Sequence, residues 1–146
     1  MIFRLFKKYI RISKTERKIL NLLFLWFIYA FILVRFIPLR WFSKLLGKFN
    51  KETIVDLNNK QIEIVFLVKK NIKRWKKYLP WKIKCFEEAI VAKKILNKYN
   101  IKTTLYLGVN KNKENGLVAH AWLKAGSKVI AGEKGFEKFV VVGFYS

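Results

Sequence analysis

Apolar and polar positions change rhythm along this chain, and each change predicts an element. In residues 1–18 the basic side chains Arg4, Lys7, Lys8, Arg11, Lys14, Arg17 and Lys18 are set among Ile2, Phe3, Leu5, Phe6, Tyr9, Ile10 and Ile12. That spacing fits a cationic amphipathic helix suited to anionic lipid headgroups, with a frayed, solvated tail as the alternative. Ser13 or Thr15 suits the N-cap of the helix that follows. From Ile19 to Val34 only Asn21 is strongly polar. At about 1.5 Å per residue the run falls short of the roughly 30 Å hydrocarbon core of a bilayer, and it crosses only if Arg35 to Leu39 is counted, with the arginine snorkelling. Two readings stay open: membrane insertion or interfacial anchoring, and a helix buried by the rest of the chain or by a partner. Both flanks are basic, so the positive-inside signal gives no orientation. No small-residue cleavage site follows, which argues against a removable signal peptide.

Pro38 should end or kink that helix, and Leu39 to Phe49 reads as a short basic segment closing near Gly47. Residues 50–59 are polar and read as a hinge, with Asn58 and Asn59 as turn or N-cap residues. From Lys60 to Tyr78, Ile62, Val65, Val68, Ile72 and Trp75 keep helical spacing, and lysines fill the outer face. Residues 85–99 predict a second, central helix, with Asn100 as a left-handed C-cap. Ile101 to Val109, Leu117 to Ala125, Lys128 to Ala131 and Phe139 to Tyr145 alternate as strands do, with a polar turn at Asn110 to Gly116 and a tight one at Ala125-Gly126-Ser127. Helices followed by meandering strands indicate an α+β fold on a small antiparallel sheet. The division expected is an N-terminal helical appendage at 1–49, the hinge at 50–59 and a domain at 60–146.

Composition narrows the function classes. The chain has 146 residues, 53% of them apolar, enough for one domain core with chain left over. A single Cys excludes an intramolecular disulfide, and one Cys with one His cannot fill a zinc or iron–sulfur site, so no metal or cofactor is expected. A formal net charge of +22 implies attraction to a polyanion or an anionic membrane. The excess is mostly Lys, whereas base-reading and phosphate-forking sites favour Arg, so nucleic acid is not the expected partner. The lysines of the 60–78 helix read first as a solvated face.

The chemistry centres on Cys85, in the stretch Pro80-Trp81-Lys82-Ile83-Lys84-Cys85-Phe86. A proline, a short linker and an apolar-periodic run place the thiol in the first turn of a helix, where free amides and the macrodipole favour a thiolate. The one histidine, His120, lies on the strand Leu117 to Ala125 and shares a face with Val118, Trp122 and Lys124. Leu117, Ala119, Ala121 and Leu123 form the core face, so His120 meets Cys85 if the Cys85 helix covers the other face. An inert buried Cys and a structural His are the competing reading. A third group should orient the imidazole; Glu133, after the next strand, is the choice among the few acids. The Cys85 N–H is the natural oxyanion donor. Trp81 offers an indole N–H as a second, or packs against the sheet, which is the favoured reading.

Pro80-Trp81 followed by Cys85, Glu88-Ala89 and Leu96 to Ile101, then Ala119-His120-Ala121-Trp122-Leu123, resembles the transglutaminase-like cysteine peptidases of lasso-peptide biosynthesis, specifically the stand-alone protease half of the split B protein. The resemblance extends from about Glu16 to Glu133 and includes the apolar segment ending Arg35-Phe36-Ile37-Pro38-Leu39-Arg40. It implies a transglutaminase-like, papain-like core with Cys85 as nucleophile and His120 as general base and acid. The third residue of that family is usually an Asp shortly after the His strand; Glu133 stands nearest to that place. The implied reaction is removal of the leader from a lasso precursor peptide. The implied partners are a separate leader-recognition protein and an ATP-dependent cyclase, at the inner face of the cell membrane. Transglutaminase-type acyl transfer shares the same residues, and a non-catalytic, basic, membrane-associated scaffold is the alternative from another class.

Overall fold

A computed structural model describes the backbone at residues 2–53, 55–114 and 116–146, and side chains from residue 7 onward within those ranges. The basic and apolar side chains at positions 2–6, Ile54 of the expected hinge and Asn115 of the hairpin turn lie outside the described residues.

Helix α1 covers Ile2–Arg11 and α2 covers Lys14–Phe36. The break is set by Ser13, whose Oγ accepts from the Glu16 N–H at 3.1 Å and so satisfies an amide with no helical partner. Pro38 stops α2 as expected and caps the short α3 (Leu39–Phe42), which runs into a 3₁₀ turn at Ser43–Leu46. Asn58 opens α4 (Asn59–Tyr78) with a reciprocal box: its Oδ1 accepts from Gln61 N–H at 2.9 Å while Gln61 Oε1 accepts from Asn58 N–H at 3.1 Å. Helix α5 covers Cys85–Lys98, and Asn100 turns the chain out of it at φ 55°.

Four strands follow: β1 (Thr104–Asn112), β2 (Gly116–Ala125), β3 (Lys128–Ala131) and β4 (Val140–Tyr145). They form one antiparallel sheet in the order β3-β2-β1-β4, as the alternation predicts. β1 begins a little after Ile101, which is buried beneath the turn.

Helix α5 lies on one face of this sheet. Ala89, Ile90, Ala92, Ile95 and Leu96 share a core with Leu105, Ala121, Leu123, Ile130 and Ala131. The core does not stop at position 60. Ile19, Leu23, Phe27, Ala30 and Leu33 of α2 belong to it, with Val65, Val68 and Ile72 of α4. One stripe of α2 is therefore covered by the rest of the chain, while Leu25, Ile32 and Phe36 on its other side are exposed. The polar stretch between α3 and α4 is tied to the sheet: Phe49 bridges Tyr145, Lys48 and Ser146 exchange backbone hydrogen bonds, Thr53 N–H donates to Thr104 Oγ1 at 3.0 Å, and Tyr106 donates to Glu52.

By length and composition α2 is the one helix among the described residues that is able to cross a membrane, a test that the core helix of a soluble protein also passes.

Candidate active site

Cys85 occupies the first position of α5, where a backbone N–H has no partner within the helix. The turn that delivers it is fixed by Glu87, which is fully buried. Glu87 Oε2 accepts from the Lys84 N–H at 3.3 Å, closing the helix start. Its Oε1 accepts from Arg35 Nε at 2.9 Å, and Arg35 Nη2 donates to the Lys82 carbonyl at 2.9 Å. Arg35 thus ties the end of α2 to both the loop before Cys85 and the helix after it. Its guanidinium lies 4.5 Å from the centre of the Phe31 ring, which in turn packs on Trp81 at 5.0 Å. The sequence showed Arg35 only as a charge at the end of an apolar run. Nothing in the sequence links it to Glu87, which stands 52 residues later.

Trp81 packs against α2 rather than the sheet. Its Nε1 is buried without a hydrogen-bond partner, and Trp81 is not part of the cavity wall at Cys85. Of the two oxyanion candidates, only Cys85 lines the cavity.

His120 keeps the strand phase expected of it, but α5 covers the opposite face, that of Ala121 and Leu123. The expected core face also runs out towards the hairpin, where Leu117 is 73% exposed because β2 projects beyond the helix. The His120 face is covered by aromatic rings instead. Phe139 lies 4.8 Å and Trp122 6.0 Å from the imidazole, and Trp122 stacks on Tyr106 at 5.5 Å. Thiol and imidazole come to the same place at the sheet edge, where pairing of β3 with β2 ends at Leu123↔Ala131. Both line a cavity of about 340 Å³, together with Ile83, Glu88, Gly132 and Glu133.

The imidazole is held by a backbone group. His120 Nε2 lies 2.8 Å from the Gly132 carbonyl. A carbonyl only accepts, so Nε2 carries the proton and Nδ1 holds the free lone pair. Gly132 brings that carbonyl in because it has no side chain. At φ 67° it sits so close to β2 that a Cβ would fall 2.1 Å from the Ala121 carbonyl oxygen. A glycine directly after a strand is the mark that position carries in the sequence.

The Glu133 carboxylate does not contact the imidazole. It reaches the same cavity but pairs with Lys69 Nζ at 2.8 Å, and that bond, with the nearby charges of Lys69 and Lys73, holds its carboxyl below the usual range. On the other wall Glu88 pairs with Lys76 at 2.7 Å. Among the described residues no hydrogen bond links Cys85 to His120 and no three His, Cys, Asp or Glu side chains converge as metal ligands would. Looser catalytic hydrogen bonds are common before substrate binds. The arrangement offers a nucleophile at a helix start, a base with a fixed tautomer and a free amide, which together suit acyl transfer.

A family model described as the transglutaminase-like superfamily matches residues 33–143. A search of curated proteins and a search of solved structures found no match.

Proposed function

The chain belongs to the transglutaminase-like superfamily, and we propose that it is a cysteine peptidase that removes the leader from a ribosomally made lasso precursor peptide. The observation that carries the reading is the shared cavity: the first residue of α5, Cys85, and the only histidine, His120, line one wall-to-wall space. The Pro80-Trp81 and Ala119-His120-Ala121-Trp122 blocks on either side add the lasso-specific part.

In this mechanism the Cys85 thiol gives its proton to His120 Nδ1, and the sulfur attacks the scissile carbonyl carbon. The Cys85 N–H donates to the oxyanion. Collapse breaks the C–N bond, and His120 returns the proton to the departing amine, which becomes the free N-terminus of the core peptide. The leader stays on sulfur as a thioester. A water then loses its proton to His120 and attacks the thioester; the C–S bond breaks, the sulfur takes the proton back from His120, and the leader leaves as a carboxylic acid. Glu133 lines the same cavity paired with Lys69, and the Gly132 carbonyl is the group that orients the imidazole. A separate leader-recognition protein presents the precursor, and an ATP-dependent cyclase consumes the freed amine. Association with the inner face of the cell membrane belongs to the same proposal, supported by the apolar side chains left exposed on α2 and α3, Phe36 and Trp41 each at 72%.

The test is the mass of the products formed from a precursor peptide with its recognition protein present. Separate leader and core masses are expected, absent in Cys85→Ala and in His120→Ala. A crosslinked product would replace hydrolysis by transglutaminase-type transfer, and full cleavage by either variant would exclude the mechanism.

A further inference from the structure

The cavity at Cys85 does not end at the sheet edge. Two of its lysines, Lys69 and Lys73, also line a second hollow of about 610 Å³ along the outer face of α4, with Lys70, Arg74 and Lys77. The two spaces adjoin at Lys69 and Lys73 on that helix, one reaching Lys77 and the other Cys85. Aromatic side chains stand in the same second hollow, Phe66 at 64% and Tyr78 at 55% exposed.

The acids that pair with lysines and arginine of this face are Glu133, Glu88 and Glu16. Glu133 holds Lys69 and Glu88 holds Lys76, while Glu16 takes Lys70 at 3.1 Å and Arg74 at 3.4 Å. Lys73, Lys77 and Lys134 have no carboxylate within 4.0 Å among the described residues. A solvated face has no need of this pattern. Three cations facing a recess that leads to a nucleophile form an attractive field for anions at that spot, beyond the general charge of the chain.

We propose that the basic face of α4 is the track along which an acidic segment of the peptide substrate is led to Cys85, with Lys73, Lys77 and Lys134 reading its carboxylates and Phe66 and Tyr78 taking apolar side chains between them. The substrate class is thus an acidic peptide with interspersed apolar residues. A peptide fits better than a bilayer because the surface is recessed and ends at a thiol, whereas a membrane demands a convex or flat one. This rests on the peptidase reading for its purpose, but its test does not require catalysis.

The experiment measures fluorescence anisotropy of a labelled ten-glutamate peptide with the full-length Cys85→Ala protein, at ~0.15 M salt, where charges beyond about 8 Å are screened. A labelled Gly-Ser peptide of equal length serves as the neutral probe. The triple variant Lys73→Gln/Lys77→Gln/Lys134→Gln is expected to weaken glutamate-peptide binding by at least ~10-fold. The triple Lys44→Gln/Lys51→Gln/Lys102→Gln, which removes equal charge from another basic hollow, is expected to change it less than ~2-fold. Equal weakening by both triples would overturn the proposal, since only total charge would then matter. So would failure of the glutamate peptide to bind better than the neutral one, or a groove triple that lost binding to phosphatidylglycerol vesicles but not to the peptide. Absence of cleavage by the wild type, with intact, groove-dependent peptide binding, would strike the peptidase reading alone.

Discussion

Arg35 and Glu87 meet 2.9 Å apart between the end of α2 and the first turn of α5, with Glu87 fully buried and the same guanidinium holding the Lys82 carbonyl. Sequence distance makes this pair informative, because it binds the apolar N-terminal helix to the two residues on either side of the turn that ends in Cys85. The partner of a buried carboxylate cannot be removed cheaply: truncating one side of such a pair typically costs about 3–5 kcal/mol. Arg35→Ala should therefore lower the urea midpoint strongly, and Arg35→Lys should restore little, since an ammonium cannot serve two acceptors in the planar geometry of a guanidinium. A double-mutant cycle with Glu87→Gln checks the coupling. Additive losses would show that the pair holds nothing.

Gly132 carries the acceptor for His120 and has no room for a methyl group. Gly132→Ala must either move β3 off β2 or strain a backbone at φ 67°, at a cost of about 1–3 kcal/mol. Cleavage should fall far more than stability, because the imidazole loses the carbonyl that fixes its tautomer. The comparison of thermal midpoint with turnover decides this, and an active Gly132→Ala enzyme would remove the carbonyl from the mechanism.

Lys93 gives a pH dependence of known sign. It is buried in α5, donates to the Thr103 carbonyl at 3.0 Å, and is lowered to about 8 by its burial and secondarily by Lys94. Below that pH the amine is charged in both folded and unfolded chains and its burial cost is carried in full. Between about 8 and the ordinary 10.5 the unfolded chain binds more protons, so this group's contribution to stability rises with pH. Relative to Lys93→Met, the wild type should gain of order 2–3 kcal/mol across that window. Urea midpoints of the two proteins at pH 7.5 and 10.5 measure the gain, and an unchanged gap would contradict it.

The uncovered side of α2 and α3 gives a membrane prediction. Phe36 and Trp41 are mostly exposed, so Phe36→Ser/Trp41→Ser should leave the thermal midpoint nearly unchanged while weakening vesicle binding. If the apolar side inserts, binding to phosphatidylglycerol vesicles survives in part at ~1 M salt, where charge attraction is screened within about 3 Å. Complete release of the wild type by salt would assign the attraction to charge alone.

Local rules carried much of the fold. Ser13 and Asn58 cap through side chains that reach only three residues along the chain, and Pro38 and Asn100 act through their own backbone, so element ends were legible at those residues. Strand alternation likewise set the sheet and the facing of His120. Which face α5 covers was not legible, because apolar residues line both sides of β2: Ala121 and Leu123 on one, Trp122 on the other. The two core attachments of α2 were hidden for a related reason. A helix apolar all round shows no stripe, so neither its buried side nor the role of Arg35 emerges before packing is known. The imidazole's partner was out of reach of any side-chain inventory, since it is a main-chain carbonyl.

In the proposed mechanism Cys85 is a nucleophile that works with His120. Cys85 is the only thiol in the chain, so its alkylation by neutral iodoacetamide can be followed by intact mass without ambiguity. The wild type at pH 6.5 should react at least ~10-fold faster than a model thiol of equal exposure, and His120→Ala should fall to the model rate. A wild-type rate no higher than the model, or one unchanged by His120→Ala, would contradict the account.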